Sequence, residues 1–352
     1  MAAGLYSGKE VYMEKVRIAI AGLGRLGKIH ANHLCGQIPG AEVTAACSII
    51  DTELSYAREE LGIRDVYRDY DEMIERGNFD AVAIVTPSGV HCSQLTRALE
   101  AGKHVFCEKP LGVTVDECLR AAKAVQAHPG LVFQLGFMRR FDPSYRYAMG
   151  KIRSGVIGEP YLVKATGLDP LKLLPGAMSF LATSGGIFVD MAIHDIDLMR
   201  WFLGSEPESV FAVGSTFGFP EIAAMGDVEA GCALYRFENG AMGTIHTSRT
   251  APYGYHIETE IVGTKGAIRI GQVPAKNGAV LYTDSGVGVD CVEAFPERFE
   301  RAFLDEKICF VDCVRNGKKP EIDVIDGVRS AEIALATTQS LKNGELVRIR
   351  YR

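Results

Sequence analysis

Lys109, Asp190 and His194 are the residues whose types and spacing point most directly to chemistry. Lys109 lies in Glu108-Lys109-Pro110, and the other two in Ser184-Gly185-Gly186-Ile187-Phe188-Val189-Asp190-Met191-Ala192-Ile193-His194-Asp195. Oxidising a secondary alcohol needs a base at the hydroxyl and a cation or donor that polarises its oxygen. His194 is the candidate base, because an imidazole with an unperturbed pKa of about 6.5 exchanges a proton near neutral pH. Asp190 precedes it by one helical turn, a spacing that puts both on one helix face, where the carboxylate would orient the ring and stabilise its charged form. Lys109, at the carboxyl end of a strand, can enter a cleft. Each has a plainer reading: a surface lysine, a satisfied helix histidine, or a His194-Asp195 metal pair. The last lacks further ligands, so no metal is expected. Taken jointly with a dinucleotide fingerprint upstream, the three read as a dehydrogenase site.

That fingerprint is Gly22-Leu23-Gly24-Arg25-Leu26-Gly27, a G-x-G-x-x-G directly after an apolar strand and before a helix. Gly22 permits the tight turn, Gly24 lets a pyrophosphate approach the backbone, and Gly27 lets helix and strand pack closely. Arg25 and Leu26 open the helix, whose N-terminus supplies free N–H groups and a positive dipole end for phosphates. At the end of the second strand an acid would accept hydrogen bonds from the NAD ribose and repel the extra phosphate of NADP. The aligned position is Ser48, with the acid displaced to Asp51 and no arginine following Ser48. NAD is favoured and NADP stays open; Asp51 reads equally well as a helix cap. Thr86-Pro87-Ser88-Gly89-Val90-His91 closes a later strand as a wall beside the nicotinamide ribose. Glu108 joins Thr86, Pro87 and His91 in this cofactor set, with His91 a loop or helix-start residue.

The elements that position these groups follow from periodicity. Strands at Val16 to Ala21, Glu42 to Ser48, Ala81 to Thr86, His104 to Glu108 and Leu131 to Gly136 alternate with helical segments at Gly27 to Gln37, Thr52 to Leu61, Ser93 to Ala101 and Thr114 to Ala127. This is the pattern of a parallel sheet covered on both faces, which binds ligands at the carboxyl ends of its strands. After Met138-Arg139-Arg140-Phe141-Asp142 the pattern changes. Tyr161 to Gly167, Val210 to Thr216, Ala230 to Glu238, Ala241 to Thr247, His256 to Gly263 and Ala267 to Ile270 read as strands of an open, mostly antiparallel sheet. Glu238-Asn239-Gly240 signals a hairpin, since Asn-Gly accommodates positive φ at both central positions. Phe188 to Leu203 reads as one helix crossing the domain interface, and Asp326 to Leu341 as a closing helix. The fold class is α/β: residues 1–138 form the nucleotide domain, with 1–15 an extension, and 139–352 a substrate-binding and oligomerisation domain.

A chain of 352 residues with 47% hydrophobic and 23% charged residues is long for one domain and can bury large cores. Its net charge of −6 offers no cationic field for nucleic acid or anionic lipid, so neither partner is expected. Nine scattered cysteines suit reduced thiols in the cytoplasm. Cys309 and Cys313 could share a helix face, yet no second pair completes a zinc site. Met1 to Lys15 lacks the apolar core of a signal peptide, Met13 is an alternative start, and no apolar run reaches the roughly 20 residues that cross a bilayer.

With these motifs in view, the chain resembles the glucose-fructose oxidoreductase/inositol dehydrogenase (Gfo/Idh/MocA) family over nearly its full length. The resemblance rests on the glycine motif, Gly102-Lys103-His104-Val105-Phe106-Cys107-Glu108-Lys109-Pro110-Leu111, Gly136-Phe137-Met138-Arg139-Arg140-Phe141-Asp142, and the stretch from Gly185 to Asp197. It implies a Rossmann domain, a C-terminal α/β domain whose open sheet forms subunit contacts, a homotetramer, and NAD(P)-linked chemistry on sugars or cyclitols. It also implies catalytic roles for Lys109, Asp190 and His194. Gly167-Leu168-Asp169-Pro170, Ser184 to Met191 and Tyr253 to Glu260 look most like inositol 2-dehydrogenases, which oxidise myo- or scyllo-inositol to an inosose. Asp169, Arg139, Tyr253 and Tyr255, with Lys109, Asp190 and His194, are then the hydroxyl readers. Alternatively, Arg139 holds the domain junction through Asp142 and the tyrosines are packed strand residues. Ser48, Gly167 and Phe303 depart from an acid, a polar residue and a tyrosine found in some relatives. Two rivals remain: a dehydrogenase of an aldose, sugar acid or keto-sugar, and a non-catalytic sensor on the same scaffold.

Overall fold

The computed structural model describes residues 15–271 and 275–352, so the expectations for Met1 to Glu14, including the alternative start at Met13, lie outside the described residues. The chain begins with β1 (Val16–Ala21), α1 (Arg25–Gly36), β2 (Ala41–Cys47), α2 (Asp51–Glu59), β3 (Asp65–Tyr67), α3 (Tyr70–Arg76), β4 (Ala81–Ile84), α4 (His91–Glu100), β5 (His104–Glu108), α5 (Val115–Ala127) and β6 (Phe133–Gly136). These strands form a parallel sheet in the order β3-β2-β1-β4-β5-β6. The order reverses beside β1, which opens a crevice at the carboxyl ends. Gly22, Ser48, Val85 and Lys109 each follow directly on a strand of this sheet and therefore meet at that edge.

Both faces of β1 are buried, as its unbroken apolar sequence requires. Ile18 and Ile20 pack with Ala31 and Leu34 of α1, while Ala19 and Ala21 join the layer containing Leu95, Leu99 and Cys118. The first of these layers is completed from far down the chain: Phe310, Val311 and Cys313 come from the helix Glu300–Asn316.

The remainder comprises α6 (Pro143–Arg153), β7 (Pro160–Pro170), α7 (Leu174–Ala177), α8 (Ile187–Asp190), α9 (Ile193–Leu203), β8 (Pro207–Ser215), β9 (Ala230–Phe237), β10 (Met242–Ala251), β11 (His256–Gly263), β12 (Gly266–Ile270), β13 (Leu281–Thr283), β14 (Gly286–Gly288), α10 (Phe295–Arg298), α11 (Glu300–Asn316), α12 (Val324–Asn343) and β15 (Val347–Arg348). A second sheet runs β12-β11-β7-β10-β9-β8-β15. Its pairs are antiparallel apart from β7 with β10, which is parallel. Helices α9 and α12 pack on one face, against β7 and β8. The other face leaves Phe211, Val213, Leu234 and Met242 exposed.

Two local expectations are corrected. The apolar segment read as one helix from Phe188 to Leu203 is two helices, α8 and α9, separated at Met191 and Ala192. The turn at Asn239-Gly240 has positive φ at Gly240 alone, +83°; Gly240 N–H donates to Phe237 O and Phe237 N–H to Ala241 O. This is a three-residue hairpin with a left-handed glycine at its end, not a two-residue turn.

A buried ionic network ties the two sheets together. Arg140, in the turn after β6, pairs with Asp197 of α9 and, at 2.9 Å, with Asp326 of α12. Arg200 joins Asp326 at 3.1 Å and Glu206 at 2.6 Å. Asp326 also accepts the Asp323 N–H in the capping box that starts α12, so one carboxylate fixes both a helix origin and the junction.

Candidate active site

The glycine turn is built by steric need. Gly22 has φ +91°, and a Cβ there would stand 2.5 Å from Val85 O; a Cβ on Gly27 would stand 2.1 Å from Gly22 O. At both points backbone meets backbone, the turn against the end of β4 and α1 against the turn, which only glycine permits. The α1 N-terminus at Gly24 carries no side-chain cap and no acid in its first turn, so its N–H groups are available to an anion. The cradle fits the pyrophosphate of a dinucleotide. Gly22→Ala is expected to lower cofactor affinity at least about tenfold, since left-handed geometry strains any L-residue and the clash adds to it. Calorimetric titration checks this; unchanged affinity would contradict the cradle.

Around this turn the expected cofactor residues are placed unevenly. Arg25, Leu26 and Glu108 line the central cavity, with the Arg25 guanidinium 5.1 Å from the Phe295 ring centre. Thr86 donates its hydroxyl to Gln94 at 2.6 Å, and Pro87 precedes a short helical turn leading into α4. His91 starts α4 and is buried, its ring nitrogens 2.8 Å from Pro110 O and 2.7 Å from Thr86 O. Burial holds its pKa below the ordinary value, and the neutral ring can donate to only one of these two carbonyls. Asp51 is corrected as a helix cap. Ile50, not Asp51, is the N-cap of α2, and the Asp51 carboxylate is 71% exposed and paired with Arg68 at 2.6 Å.

A cavity of about 520 Å³ lies between the two sheets, within the usual range of roughly 300–1,000 Å³ for small-molecule sites. Lys109, Arg139, Asp169, Asp190, His194 and Tyr255 line it, together with Leu173, Phe180, Phe295 and Phe303. Lys109 arrives from the end of β5, with a cis peptide to Pro110, and its Nζ donates to Asp190 O at 2.8 Å. Its own N–H donates to Glu108, whose second oxygen accepts from His30 Nε2 at 2.7 Å. Burial, then Lys307, pulls His30 down to about 4, so this ring is neutral. Burial alone would raise Glu108, but the His30 hydrogen bond and the charges of Lys307 and Lys109 hold it below the ordinary carboxylate value. The backbone behind Lys109 is thus anchored by a buried carboxylate.

His194, in the first turn of α9, is 7% exposed and packs edge-on against Phe137. Its Nδ1 is buried with no hydrogen-bond partner among the described residues. Burial, then the positive charges of Lys109 and Arg139, drives its pKa well below 6.5. The ring is therefore neutral at physiological pH, the form a base requires. The expected i, i+4 pairing with Asp190 does not form, because the helix breaks between them. Asp190 instead pairs with Arg249 at 2.9 Å, and Arg249 continues to Asp227 at 3.1 Å. Asp227 in turn accepts the Ile187 N–H at 2.9 Å and so holds the start of α8.

Among the expected hydroxyl readers, Asp169 and Tyr255 reach the cavity and Tyr253 does not. Tyr253 is 50% exposed, with its hydroxyl 2.8 Å from His256 Nδ1. Tyr255 is buried edge-on against Phe299. Burial, and next the Asp190 carboxylate, push Asp169 above the ordinary carboxyl range, opposed by Arg249, Lys109 and Arg139. Arg139 does not bind Asp142, as the junction reading required; it pairs with Asp195 at 2.5 Å, and Asp142 takes Arg298 at 2.7 Å. The same Asp195 explains one departure: a Cβ on Gly167 would lie 2.9 Å from its Oδ2. Arg249 was not foreseen, although it continues the buried row of β10 through Gly243, Ile245 and Thr247. An arginine on an inward row of a strand signals buried acidic partners.

Cavity and cradle together define a nicotinamide-dinucleotide oxidoreductase with a pocket that presents several ionisable side chains beside the cofactor crevice. Residues 16–137 match the model of an oxidoreductase family with an NAD-binding Rossmann fold, and residues 145–269 match the GFO/IDH/MocA C-terminal domain. The chain belongs to the Gfo/Idh/MocA oxidoreductase family. It is 42% identical to scyllo-inositol dehydrogenase from Lactobacillus casei, solved with NAD(H) and scyllo-inositol bound; the match covers 95% of this chain and 99% of that one, with a TM-score of 0.93. Myo-inositol 2-dehydrogenase from Lactobacillus plantarum is 41% identical over 96% of this chain and 100% of that one, with a TM-score of 0.94. The scyllo-inositol 2-dehydrogenase (NAD(+)) of Bacillus subtilis is 38% identical, covering 95% of this chain and 96% of its own. Among the described residues no group of His, Cys, Asp or Glu could hold a metal, and no helix is long and apolar enough to cross a membrane.

Proposed function

We propose that this protein is an NAD-dependent inositol 2-dehydrogenase that oxidises one secondary hydroxyl of scyllo- or myo-inositol to the inosose. The observation that carries the reading is the convergence of Lys109 and a neutral, buried His194 on one cavity beside the glycine cradle. Bound NAD supplies the acceptor for the hydrogen and electron pair that leave the carbinol carbon. His194 takes the hydroxyl proton. Lys109, fixed by the Asp190 carbonyl, steadies the oxygen as charge develops on it. Asp190 acts as a positioning residue through its carbonyl, its carboxylate being committed to Arg249. Asp169, Arg139 and Tyr255 read the remaining hydroxyls; a ring bearing a hydroxyl on every carbon suits a wall of donors and acceptors.

The division at residues 1–138 and 139–352 draws support from the family matches, which end at 137 and resume at 145. The exposed apolar side chains on the open face of the second sheet support a homo-oligomer, with four subunits as the expected state. All nine cysteines are free thiols, which supports a cytoplasmic protein.

The test is absorbance at the reduced-nicotinamide band with scyllo-inositol, myo-inositol and glucose, each with NAD and NADP. Rapid reduction with an inositol and NAD is expected. Reduction with glucose alone, or cofactor binding without reduction by either inositol, would overturn the assignment.

A further inference from the structure

We infer that Glu53, on the first turn of α2, is the acid that reads the adenosine ribose of NAD and turns away the 2′-phosphate of NADP. The inference rests on the reading of the crevice as an NAD site and adds a specificity residue to it. Cys47 ends β2 opposite Ala21 of β1, and its carbonyl accepts the Gly22 N–H at 2.9 Å. Ser48 therefore stands level with the glycine turn, where the ribose-binding acid is missing. Its hydroxyl proton is given to Glu53 Oε2 at 2.5 Å, while its oxygen accepts the Ile50 N–H at 3.1 Å. The second oxygen of the same carboxylate, Glu53 Oε1, lies 3.8 Å from the point that a Cβ on Gly24 would occupy.

Gly24 is the residue over which the pyrophosphate passes. A carboxylate one van der Waals contact from it, at the end of β2, stands where the ribose hydroxyls must donate. The short serine gives the room into which the longer glutamate reaches, and its hydroxyl fixes that glutamate's other oxygen. The pair thus replaces a single aspartate at the strand end. Asp51, the acid nearest in sequence, is drawn to the outer side of the loop by Arg68, which also lies 3.4 Å from Ile49 O. A 2′-phosphate would meet the Glu53 charge, and Arg68 is already neutralised by Asp51.

Titration calorimetry of the full chain with NAD, NADP and 2′-deoxy-NAD, which lacks the adenosine 2′-hydroxyl, decides the matter without any inositol. The wild type is expected to prefer NAD to both other ligands by about tenfold or more, the size of a lost hydrogen bond to a charged group. Glu53→Ala is expected to remove that preference over 2′-deoxy-NAD and to narrow the NAD/NADP ratio about tenfold or more. Asp51→Ala should keep the NAD/2′-deoxy-NAD ratio within about twofold, since Asp51 does not meet the ribose. Should Glu53→Ala fail to fold, Glu53→Gln removes the charge while keeping a side chain of the same shape beside Ser48, and the NAD/NADP ratio must narrow. Unchanged ratios in the Glu53 variants, or collapse of the NAD/2′-deoxy-NAD ratio in Asp51→Ala, would overturn the inference. Either result leaves the inositol assignment standing, since that depends on turnover; a protein that discriminates these ligands as expected yet oxidises no inositol overturns that assignment alone.

Discussion

His194→Ala is expected to lower turnover with inositol by about 10²–10⁴-fold, the usual contribution of a positioned general base. Affinity for NAD should change by less than about twofold, because the glycine turn and the α1 N-terminus that hold the phosphates are formed by other residues. Comparison of kcat with the calorimetric Kd for NAD checks the split. The pH profile supplies a second, independent readout. His194 acts as a base only when neutral, and burial, Lys109 and Arg139 all depress its pKa. The rate should therefore stay level as pH falls through about 6.5, the ordinary histidine value, and decline only below it. In Lys109→Met the second of these causes is gone, so the residual activity should show its acid limb at higher pH than the wild type. A limb centred on the ordinary value in the wild type, or no movement in Lys109→Met, would contradict the electrostatic account of this base.

The second large effect is on stability. Asp197→Ala leaves the Arg140 guanidinium buried and deprived of two contacts, the shorter to Asp197 Oδ1 and one of 2.8 Å to Oδ2. Removing one member of a buried ion pair costs about 3–5 kcal/mol, chiefly through the uncompensated charge left behind. Asp326 remains as a partner at 2.9 Å, which keeps the expected loss near the lower end, about 3 kcal/mol. Thermal unfolding should move down by roughly 5 °C or more. The exposed pair Arg146–Glu321, at 3.5 Å with both side chains about half exposed, is the contrast: Glu321→Ala should cost less than about 1 kcal/mol. Equal shifts in the two variants would show that the Arg140 network does not hold the sheets together.

Much of the first sheet was legible because its strands are short apolar runs between helices of clear 3.6-residue period, and the bounds of β1 and β5 coincide with those read from the sequence. The elements missed there, β3 and α3, span three and seven residues and offer too little length for a period to emerge. β13, β14 and β15 escaped for the same reason, at three, three and two residues. The break between α8 and α9 had no local signal, since neither glycine nor proline occupies Met191 or Ala192. It coincides with tertiary ties: Asp227 holds the Ile187 N–H, Lys109 takes the Asp190 carbonyl and Arg249 the Asp190 carboxylate.

The same distinction separates the site residues that could be read from those that could not. Lys109 was visible because a strand end and a following proline place it at the sheet's ligand edge. His194 and Asp190 were visible as a pair, but the pairing itself was misread, since the competing arginine lies 59 positions away on β10. Glu53 was hidden behind Asp51, which carries the expected charge nearer the strand end; only the fold shows that the nearer acid faces Arg68 and the farther one Ser48 and Gly24.

Transfer of label tests the central claim most directly. Wild-type protein is mixed with NAD and scyllo- or myo-inositol deuterated at every ring carbon, and the reduced cofactor is examined by mass spectrometry. Oxidation at a ring carbon beside the nicotinamide predicts reduced cofactor carrying a single deuterium, formed rapidly by the wild type and at a rate lower by about 10²–10⁴-fold in His194→Ala. Unreduced cofactor with both inositols, unlabelled reduced cofactor, or equal rates in the two proteins would contradict it.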